Sequence, residues 1–520
     1  MSQANQSPGD GDDRHSTLIN NSNAIRAVTS AVEGTLGPKG LDVMLVGPRG
    51  EVVITNDGVT ILDKMDVSHP AARLLIQVAR AQQEKIGDGT TTATVLAGAL
   101  VQEGVARIIK GVPASKVVEG IRQGIEMALK LLSERIRSIE GLEDPLLART
   151  VYVAGRERQD IVQLIMEAAR KSGMERLRDP YYHLADDITA LENAEHEVFE
   201  GMLLRQKPLM TRDHLSYKDA KVLVLMDALE PDQLDEEVMT TEAGFARYMD
   251  LKQVFASDLE RLRDMSVKLI VLEKGIHPDA EQFCLDHGIM VVPRVSRADL
   301  KQVCSMTGAV PIRRAALHKE AQMLMPVLGS TPLVSYDESL ARVRIHANAG
   351  QNGSKAVTVI VGASTSEVVG EAARIAGDAA SALQAAVRGG VLPGGGTSEL
   401  AVSYELERCR ETQKGMEAFG IEAVSAALRK PMSQILLNAG YNPLEKMEEV
   451  RAAQINSGCD AMGMDCDTGA VIHYEELGIL DPAPVKLHGL RAAGEVAAAV
   501  LRIHHVIKMR DAAGSDNEPY

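Results

Sequence analysis

Apolar residues recur at a helical spacing in both end regions of the 520-residue chain and form short continuous runs in its middle. The spacing predicts helices over residues 17–34, 70–85 and 93–111, and Ser115 is expected to cap a further helix. Two short apolar runs on either side of residues 47–50 predict a hairpin. Residues 1–145 are therefore predicted to form a mostly helical region with several Gly-rich turns.

The middle of the chain has a different pattern. Buried strands are predicted at 222–225, 269–272 and 290–292, with helical segments between them. Strands that alternate with helices indicate an α/β module with a parallel sheet. A long helix is predicted from Ser366 to about Gly389, and the chain after it is again mainly helical. We therefore expect two helical end regions that flank a central α/β insert.

A long connection follows the first of these strands, at residues 235–249. It begins with an acidic run, which is typical of a solvated face, and it also carries Phe245, Tyr248 and Met249. Long loops in compact domains are usually functional. The alternative is that these three side chains close the core of the module, and the sequence leaves both interpretations open.

Composition narrows the classes of function. The net charge of -16 argues against a nucleic-acid-binding protein, which would normally carry a basic face. Five scattered cysteines without CxxC spacing indicate neither a disulfide framework nor a zinc site, so a reducing cytoplasm is expected. The sequence contains no run of about 18 apolar residues, so no membrane span is expected. The polar N-terminus lacks the apolar core of a signal peptide.

The most informative stretch is residues 87–92, Gly-Asp-Gly-Thr-Thr-Thr, which precede a predicted helix. Glycines allow close approach of the backbone to a ligand, and the N–H groups of a helix start attract phosphate. A carboxylate at this place would repel phosphate unless a divalent cation such as Mg²⁺ lay between them. The stretch therefore indicates a Mg-nucleotide site, and the alternative is an ordinary Gly-rich turn with a threonine cap.

Further Gly-rich turns occur in both end regions. Residues 35–40 form one with Lys39 available to a phosphate, Asp57 stands before Gly58 in another, and a triple glycine lies at 394–396. These turns belong to the two helical end regions, so a single site assembled from both ends of the chain is plausible.

Taken together, these stretches resemble signatures of the chaperonins, in the family's order over nearly the whole chain. They are Thr35-Leu36-Gly37-Pro38-Lys39-Gly40, Thr55-Asn56-Asp57-Gly58, Gly87 to Thr92, Gly394-Gly395-Gly396 and Gly478 to Pro482. Residues 69–72 and the long connection in the insert are similar to the thermosome-like branch, group II or the bacterial group III.

The resemblance implies a multidomain fold. A mainly α-helical equatorial domain would comprise residues 1–145 and 394–520. A small α/β intermediate domain at 146–198 and 351–393 would carry an inserted α/β apical domain at 199–350. A helical protrusion at about 232–258 would serve as a built-in lid.

The resemblance also implies a Mg-ATP site. Asp88 would hold the Mg²⁺ ion, Asp57 and Asp378 would serve hydrolysis, and Asp481 would contact the ribose. Asp378 would swing in with the hinge to position the attacking water. The remaining ATP-binding positions would be Thr35, Leu36, Gly37, Pro38, Gly58, Gly89, Thr90, Thr91, Thr92, Gly394 and Gly395.

As a chaperonin subunit, the chain would assemble into a double ring, with eight subunits per ring as the family expectation. It would enclose non-native polypeptides in the cytoplasm and need no separate lid protein, nucleic acid or membrane. The alternatives are a nucleotide-binding ring scaffold without productive hydrolysis and a small-molecule kinase, although no GxxxxGK[ST] motif occurs. The sequence departs from the family at 151–155, where a polar loop near the nucleotide is usual, and in its polar C-terminal tail.

Overall fold

The computed structural model describes residues 15–209, 215–232, 242–347 and 356–507. Two compact units are formed: one by the chain up to Arg158 and from Asp378 onward, the other by Gln159 to Gly377. The acidic run at 235–237 and the C-terminal tail lie outside the described residues. The domain boundaries implied by the resemblance stay a prediction.

Helices make up most of the unit built from the two chain ends, and most of the strands belong to the other unit. In chain order, the helices are α1 Ser16–Glu33, α2 Gly58–Lys64, α3 Pro70–Lys85, α4 Thr90–Ile109, α5 Ala114–Ser133, α6 Pro145–Ala154, α7 Gln159–Ser172, α8 Met174–Arg178, α9 Glu242–Asp264, α10 Pro278–Asp286, α11 Arg297–Thr307, α12 Ala321–Leu324, α13 Ser366–Gly389, α14 Thr397–Thr412, α15 Ala418–Leu428, α16 Lys430–Asn438, α17 Pro443–Ser457, α18 Tyr474–Leu477 and α19 Ala483–Leu501. The strands are β1 Val43–Val46, β2 Val52–Thr55, β3 Ile188–Glu192, β4 Glu197–Leu204, β5 Ser216–Leu225, β6 Val267–Leu272, β7 Met290–Val292, β8 Gly329–Asp337, β9 Arg342–His346, β10 Val357–Ala363, β11 Val391–Pro393, β12 Met462–Met464, β13 Val471–His473 and β14 Leu480–Pro482.

Helix α4 is the centre of the unit built from the two chain ends. It is apolar on nearly every side, and it packs against α1, α3, α5, α15 and α19. Within the described part of the chain, α4 is the one helix long and apolar enough for a membrane span by length and composition, and 67% of that stretch is buried among its neighbours. The apolar surface of α4 therefore forms part of the hydrophobic core of this unit. Packing on the neighbouring helices fixes the position of the first turn of α4, which follows the Gly-rich turn.

The second unit contains an eight-stranded sheet in the order β3-β10-β4-β9-β8-β5-β6-β7. Strands β5, β6 and β7 are parallel, as the alternation of strands and helices predicts. Strands β4, β8 and β9 run antiparallel to their neighbours, and β8 and β9 form a hairpin with no crossover helix. At the other edge, β3 and β10 are parallel. The sheet is therefore mixed, and the prediction of a parallel sheet holds for its β5-β6-β7 part.

Two local predictions were wrong. Ser115 does not cap α5, because that helix begins at Ala114 with Pro113 at the cap position. The segment 151–155 was expected to be a loop, but it is the last turn of α6 followed by Gly155. The irregular backbone comes directly after it, where Arg156 and Glu157 adopt positive φ angles of 52° and 61°.

Helix α9 comprises Glu242–Asp264, so the described part of the long connection predicted at 235–249 is helical. The first large side chain of α9 that is buried is Phe255, so only the second half of the helix contributes large side chains to the core. Phe245 is 58% exposed and Met249 is 51% exposed. The interpretation that these two side chains close the module core is therefore wrong.

Candidate nucleotide site

A Gly-rich turn leads into α4, as predicted, but the helix begins at Thr90, three residues before the predicted start at 93. Gly87 and Gly89 adopt φ angles of +83° and +77°, which an L side chain rarely tolerates. Asp88 lies between them, and its Oδ1 accepts a hydrogen bond from the Gly89 N–H at 2.6 Å. The first N–H groups of a helix have no intrahelical acceptor, so Thr90, Thr91 and Thr92 offer donors at the positive end of the α4 dipole.

Close packing brings other parts of the same unit against this turn. A Cβ atom at Gly58 would lie 2.4 Å from the Thr91 Oγ1, and one at Gly87 would lie 2.4 Å from the Ser381 Oγ. A Cβ atom at Gly89 would lie 2.3 Å from a methyl group of Val485. The start of α2, the second half of α13 and the start of α19 therefore all touch the turn.

Substitution of Gly89 by alanine is expected to destabilise this unit, because the new Cβ meets Val485 and the backbone is held in the left-handed region. We expect a cost of about 1–3 kcal/mol in the free energy of unfolding, measured by thermal unfolding. Gly34→Ala is the matched control, since Gly34 has an ordinary φ of -70° and nothing within 4 Å of its Cβ position. Equal stability of the two variants would contradict the packing described above.

Asp57 lies at the entrance to α2, and it has a structural role there. Its carboxylate accepts hydrogen bonds from the Thr60 N–H at 3.0 Å and the Thr60 hydroxyl at 2.5 Å, which is the geometry of a helix N-cap. Because Gly58 packs on Thr91, the cap also places the Asp57 carboxylate beside the start of α4.

The carboxylates of Asp57 and Asp481 act on the Asp88 carboxylate. Burial raises the pKa of Asp88 to about 6, and the negative charges of Asp481 and Asp57 add to this increase. The hydrogen bond from the Gly89 N–H opposes the increase. Without a cation, ionisation of Asp88 is therefore costly at this place. A divalent cation would relieve the repulsion, which is the arrangement that the sequence predicts for Asp88.

Asp481 lies on β14, which pairs with β11. Its Oδ2 is 2.9 Å from the Lys486 Nζ, and the same Nζ is 2.8 Å from the Glu399 Oε1. Lys486 and Glu399 are buried. Burial opposes the charge on the ammonium, but the two carboxylates outweigh this and hold the pKa of Lys486 above its ordinary value. The buried pair fixes Asp481 next to Gly394, whose Cβ position is 3.2 Å from Oδ1.

Helix α16 connects the turn at 35–40 with the triple glycine. The Asn438 side chain donates hydrogen bonds to the carbonyls of Glu33 and Leu36, at 2.9 and 2.8 Å. A Cβ atom at Gly37 would lie 2.9 Å from Ile435, and one at Gly396 would lie 2.8 Å from the Met432 nitrogen. The turn with Thr35, Gly37 and Pro38 is therefore held to the same helix as the end of the Gly394-Gly395-Gly396 turn.

Two predicted contact residues have other partners in the structure. Gly395 packs on the ring of Tyr474, whose Cε2 would lie 2.7 Å from a Cβ atom at that glycine. Lys39, expected to be available to a phosphate, forms an ion pair with Asp467.

Asp378 belongs to the same unit as these turns, and it is the first residue of the chain's return to that unit. It lies on α13, three residues before Ser381. Residues three apart share a helix face, so Asp378 is on the side of α13 that packs on Gly87 through Ser381. The contact of Ser381 with Gly87 thus brings this part of α13 against residues almost 300 positions earlier in the chain.

The donor set fits Mg²⁺ bound together with phosphate. No group of three His, Cys, Asp or Glu side chains among the described residues could hold a metal ion by itself. Mg²⁺ commonly binds through one or two carboxylates, with phosphate oxygens and waters as the other ligands. The Asp88 carboxylate at the start of α4 offers that kind of site.

Sequence reasoning missed the residues that support the turns: Gln82, Glu399, Asn438 and Lys486. The buried Gln82 amide donates to the Asp88 carbonyl at 2.7 Å and to the Val485 carbonyl at 3.2 Å. A signal for Gln82 exists in the sequence, since it continues the apolar face of α3 formed by Leu75, Val78 and Ala79. A polar residue on an apolar face requires partners when it is buried.

The chain is similar to known proteins along nearly its whole length. The model of the TCP-1/cpn60 chaperonin family matches residues 28–511. The thermosome subunit beta of Archaeoglobus fulgidus is 31% identical over 504 residues, covering 93% of this chain and 90% of the relative. The thermosome subunit alpha of Halobacterium salinarum is 30% identical over 507 residues, covering 95% and 89%. A crystal structure of a group III chaperonin in the open state matches with a TM-score of 0.88 and 40% identity, covering 95% of this chain and 100% of that one.

Proposed function

The chain belongs to the TCP-1/cpn60 chaperonin family, and we propose that it is an ATP-hydrolysing subunit that encloses non-native polypeptides. The observation that carries the proposal is that both chain ends meet at Asp88 and the start of α4: Gly58 packs on Thr91, and the charge of Asp481, which lies next to Gly394, acts on Asp88. The resemblance predicted from these turns is confirmed by the family match over residues 28–511.

We assign the residues of the site as follows. Asp88 holds Mg²⁺, and the N–H groups of residues 89–92 receive the phosphates. The turns at 35–38 and at 394–395, with Gly58, line the nucleotide, and Asp481, held by Lys486, contacts the ribose. Asp57 and Asp378 orient the attacking water. The bound Mg²⁺ would neutralise phosphate charge during transfer to water.

Hydrolysis in this proposal is gated by the arrangement of α13. The helix runs without interruption across the boundary between the two units, between Gly377 and Asp378. Gly377 has nothing within 4 Å of its Cβ position, and a glycine inside a helix weakens it by about 1 kcal/mol relative to alanine. We propose that bending of α13 near this glycine changes how Asp378 is presented to the nucleotide, which is conformational gating of the chemistry. The equatorial, intermediate and apical division belongs to the same proposal.

The function is tested with a chemically denatured model protein. The purified chain should suppress its aggregation and, on addition of Mg-ATP, release it in an active form. ATP without Mg²⁺ is the control and should give no release. Unchanged aggregation in the presence of the chain would contradict the proposal.

Assembly into stacked rings belongs to the proposal, with eight subunits per ring as the family expectation, and the hairpin β1–β2 supports an interface between subunits. Met44 and Val46 pair across the hairpin with Ile54 and Val52, and all four side chains are exposed. An exposed apolar face of this kind marks an interaction surface, and a second copy of the chain is the partner that the family implies. None of the five cysteines, all of which lie in the described ranges, forms a disulfide, which is consistent with a cytoplasmic location.

Helix α9 is proposed as part of the built-in lid. Its first half places Phe245 and Met249 in solvent, and a separate lid protein would then be unnecessary. Residues 233–241, which the resemblance includes in the protrusion at about 232–258, lie outside the described part of the chain.

Deletion of residues 238–248 is expected to prevent enclosure and to leave ATP hydrolysis unchanged. The reason is that the segment belongs to the Gln159–Gly377 unit, whereas the turns around Asp88 belong to the other. The measurement is protease resistance of a bound denatured protein in Mg-ATP, with phosphate release as the control. If the bound protein stays protected in the deletion variant, the lid assignment is wrong.

A ring scaffold that binds nucleotide without hydrolysing it would be expected to lack at least one of the three carboxylates. Asp57, Asp88 and Asp378 are all present, so no observation favours that alternative.

A further inference from the structure

The Gln159–Gly377 unit contains a cavity of about 810 Å³ that takes no part in the nucleotide site. It lies at the carboxyl ends of β5 and β6, where Asp227 follows one strand closely and Glu273 directly follows the other. The carboxyl ends of parallel strands are the usual place for ligands in open α/β sheets. The position of the cavity therefore suggests binding.

One wall of the cavity is a face of α11. Leu300 and Lys301 lie three and four residues after Arg297, and Cys304 lies four and three residues after them, so the four residues share this face. From Arg297 to Ser305 the wall extends about 12 Å, at 1.5 Å per residue. About four residues of an extended chain have the same length, at roughly 3.3 Å each. Cationic and apolar side chains alternate along this length.

The acidic side chains of the cavity already have partners. The Asp227 carboxylate accepts a hydrogen bond from the Arg314 N–H at 3.1 Å, and it lies 3.9 Å from the Lys274 Nζ. The Glu273 Oε1 is 2.7 Å from the Arg297 Nε. The negative charge that faces the cavity is thus neutralised from within the unit.

Lys301 and Arg313 are different, since both are exposed at the cavity and neither forms an ion pair within the ranges that the structure describes. Two such cations are notable in a chain whose net charge is -16. They are placed to give charge-assisted hydrogen bonds to a carboxylate.

The rest of the lining is apolar and adaptable. Met226, Leu300 and Pro311 offer aliphatic surface, and methionine adjusts to side chains of different shape. No aromatic side chain among the described residues lines the cavity, so a nucleobase would find no ring on which to stack.

We propose that this cavity binds a short extended segment of non-native polypeptide in which a glutamate or aspartate adjoins aliphatic residues. The carboxylate pairs with Lys301 and Arg313, and the aliphatic side chains pack on Met226 and Leu300. The proposal rests on the proposed chaperonin function and names the class of polypeptide sequence that this unit selects.

The experiment uses the assembled full-length chain and a fluorescein-labelled peptide of alternating leucine and glutamate. We expect this peptide to bind at least tenfold more tightly than a leucine–lysine peptide or a serine–glutamate peptide of the same length. The double variant Lys301→Glu/Arg313→Glu should lose at least tenfold in affinity for it. Lys218→Glu/Lys319→Glu is the matched control, since both of these lysines are exposed on the same unit and neither lines the cavity.

Occupancy of the cavity is read out separately at Cys304. The leucine–glutamate peptide should slow alkylation of Cys304 by iodoacetamide at least fivefold, as mapped by mass spectrometry, and leave the rate at Cys409 in the other unit unchanged. Equal affinity for the acidic and basic peptides, full affinity in the Lys301/Arg313 variant, or an unprotected Cys304 would each overturn the proposal. Native mass and phosphate release, measured on the same samples without peptide, show independently whether the chaperonin function has failed.

Discussion

Replacement of Asp378 by alanine should lower the rate of ATP hydrolysis by a factor of about 10² to 10⁴, the usual contribution of a positioned acid–base group. ATP binding should be largely retained, because the turns around Asp88 are built from other parts of the unit. Asp378 shares a face of α13 with Ser381, which packs on Gly87, so it is placed to act on the nucleotide without forming the site's walls. Single-turnover phosphate release and equilibrium binding of ATP separate the two effects.

Asp378→Asn keeps the shape of the side chain and should show the same loss of hydrolysis. Asp63→Asn is the control for removal of an acid elsewhere in the unit, since Asp63 forms an exposed ion pair with Arg80 on the surface. Exposed pairs of this kind contribute about 0–1 kcal/mol, so turnover should be unchanged in that variant. Normal turnover in Asp378→Ala would remove the catalytic assignment of Asp378.

Asp88→Asn should have two opposite effects, a loss of Mg²⁺-dependent nucleotide binding and a gain in the stability of the nucleotide-free protein at neutral or alkaline pH. The first effect follows because the proposed Mg²⁺ ligand is removed. The second follows because the folded state raises the pKa of Asp88 from an ordinary value of 3.8 to about 6. A strained site that is needed for binding is a common source of such an exchange between stability and activity.

The direction of the pH dependence is fixed by linkage. The folded chain holds the Asp88 proton more tightly than the unfolded chain does. Protonated Asp88 therefore adds to the stability of the folded state, fully below pH 3.8, and this added stability is lost as the pH rises through about 6. Asparagine carries no charge, so the gain in melting temperature should be larger at pH 8 than at pH 5. In the unsubstituted protein, Mg-ATP affinity should fall as the pH decreases through about 6, because protons compete with the cation.

Calorimetry of the two proteins at pH 8 and pH 5, without nucleotide, measures the stability effect, and Asp63→Asn again serves as the control. A lower melting temperature of Asp88→Asn at pH 8 would show that the Asp88 carboxylate is stabilised by its surroundings. Undiminished Mg²⁺-dependent binding in the same variant would show that another residue holds the ion.

The local features of the site could be predicted because each depends on a short stretch of chain. The hairpin β1–β2, the Gly-rich turn before α4 and the span of α13 follow from glycines, caps and apolar spacing, although α4 begins three residues earlier than predicted. The resemblance to the chaperonins depended on such stretches in order, and each is a local signal.

Features that depend on tertiary contacts could not be predicted in the same way. The ion pair of Lys486 with Glu399 joins residues 87 positions apart, and nothing near either residue indicates the partner. The antiparallel half of the sheet depends on pairings such as β4 with β9, between strands far apart in the chain. Phe245 is similar, since an apolar side chain in a charged helix can be buried or exposed, and only packing decides.

The most direct test of an ATP-hydrolysing chaperonin ring is the native mass of the purified chain with and without Mg-ATP, measured together with phosphate release. We predict a particle of about sixteen subunits, as two closed rings of eight require, and steady release of phosphate. A monomer or small oligomer under both conditions, with no phosphate released, would contradict the proposal that this chain is an ATP-driven ring.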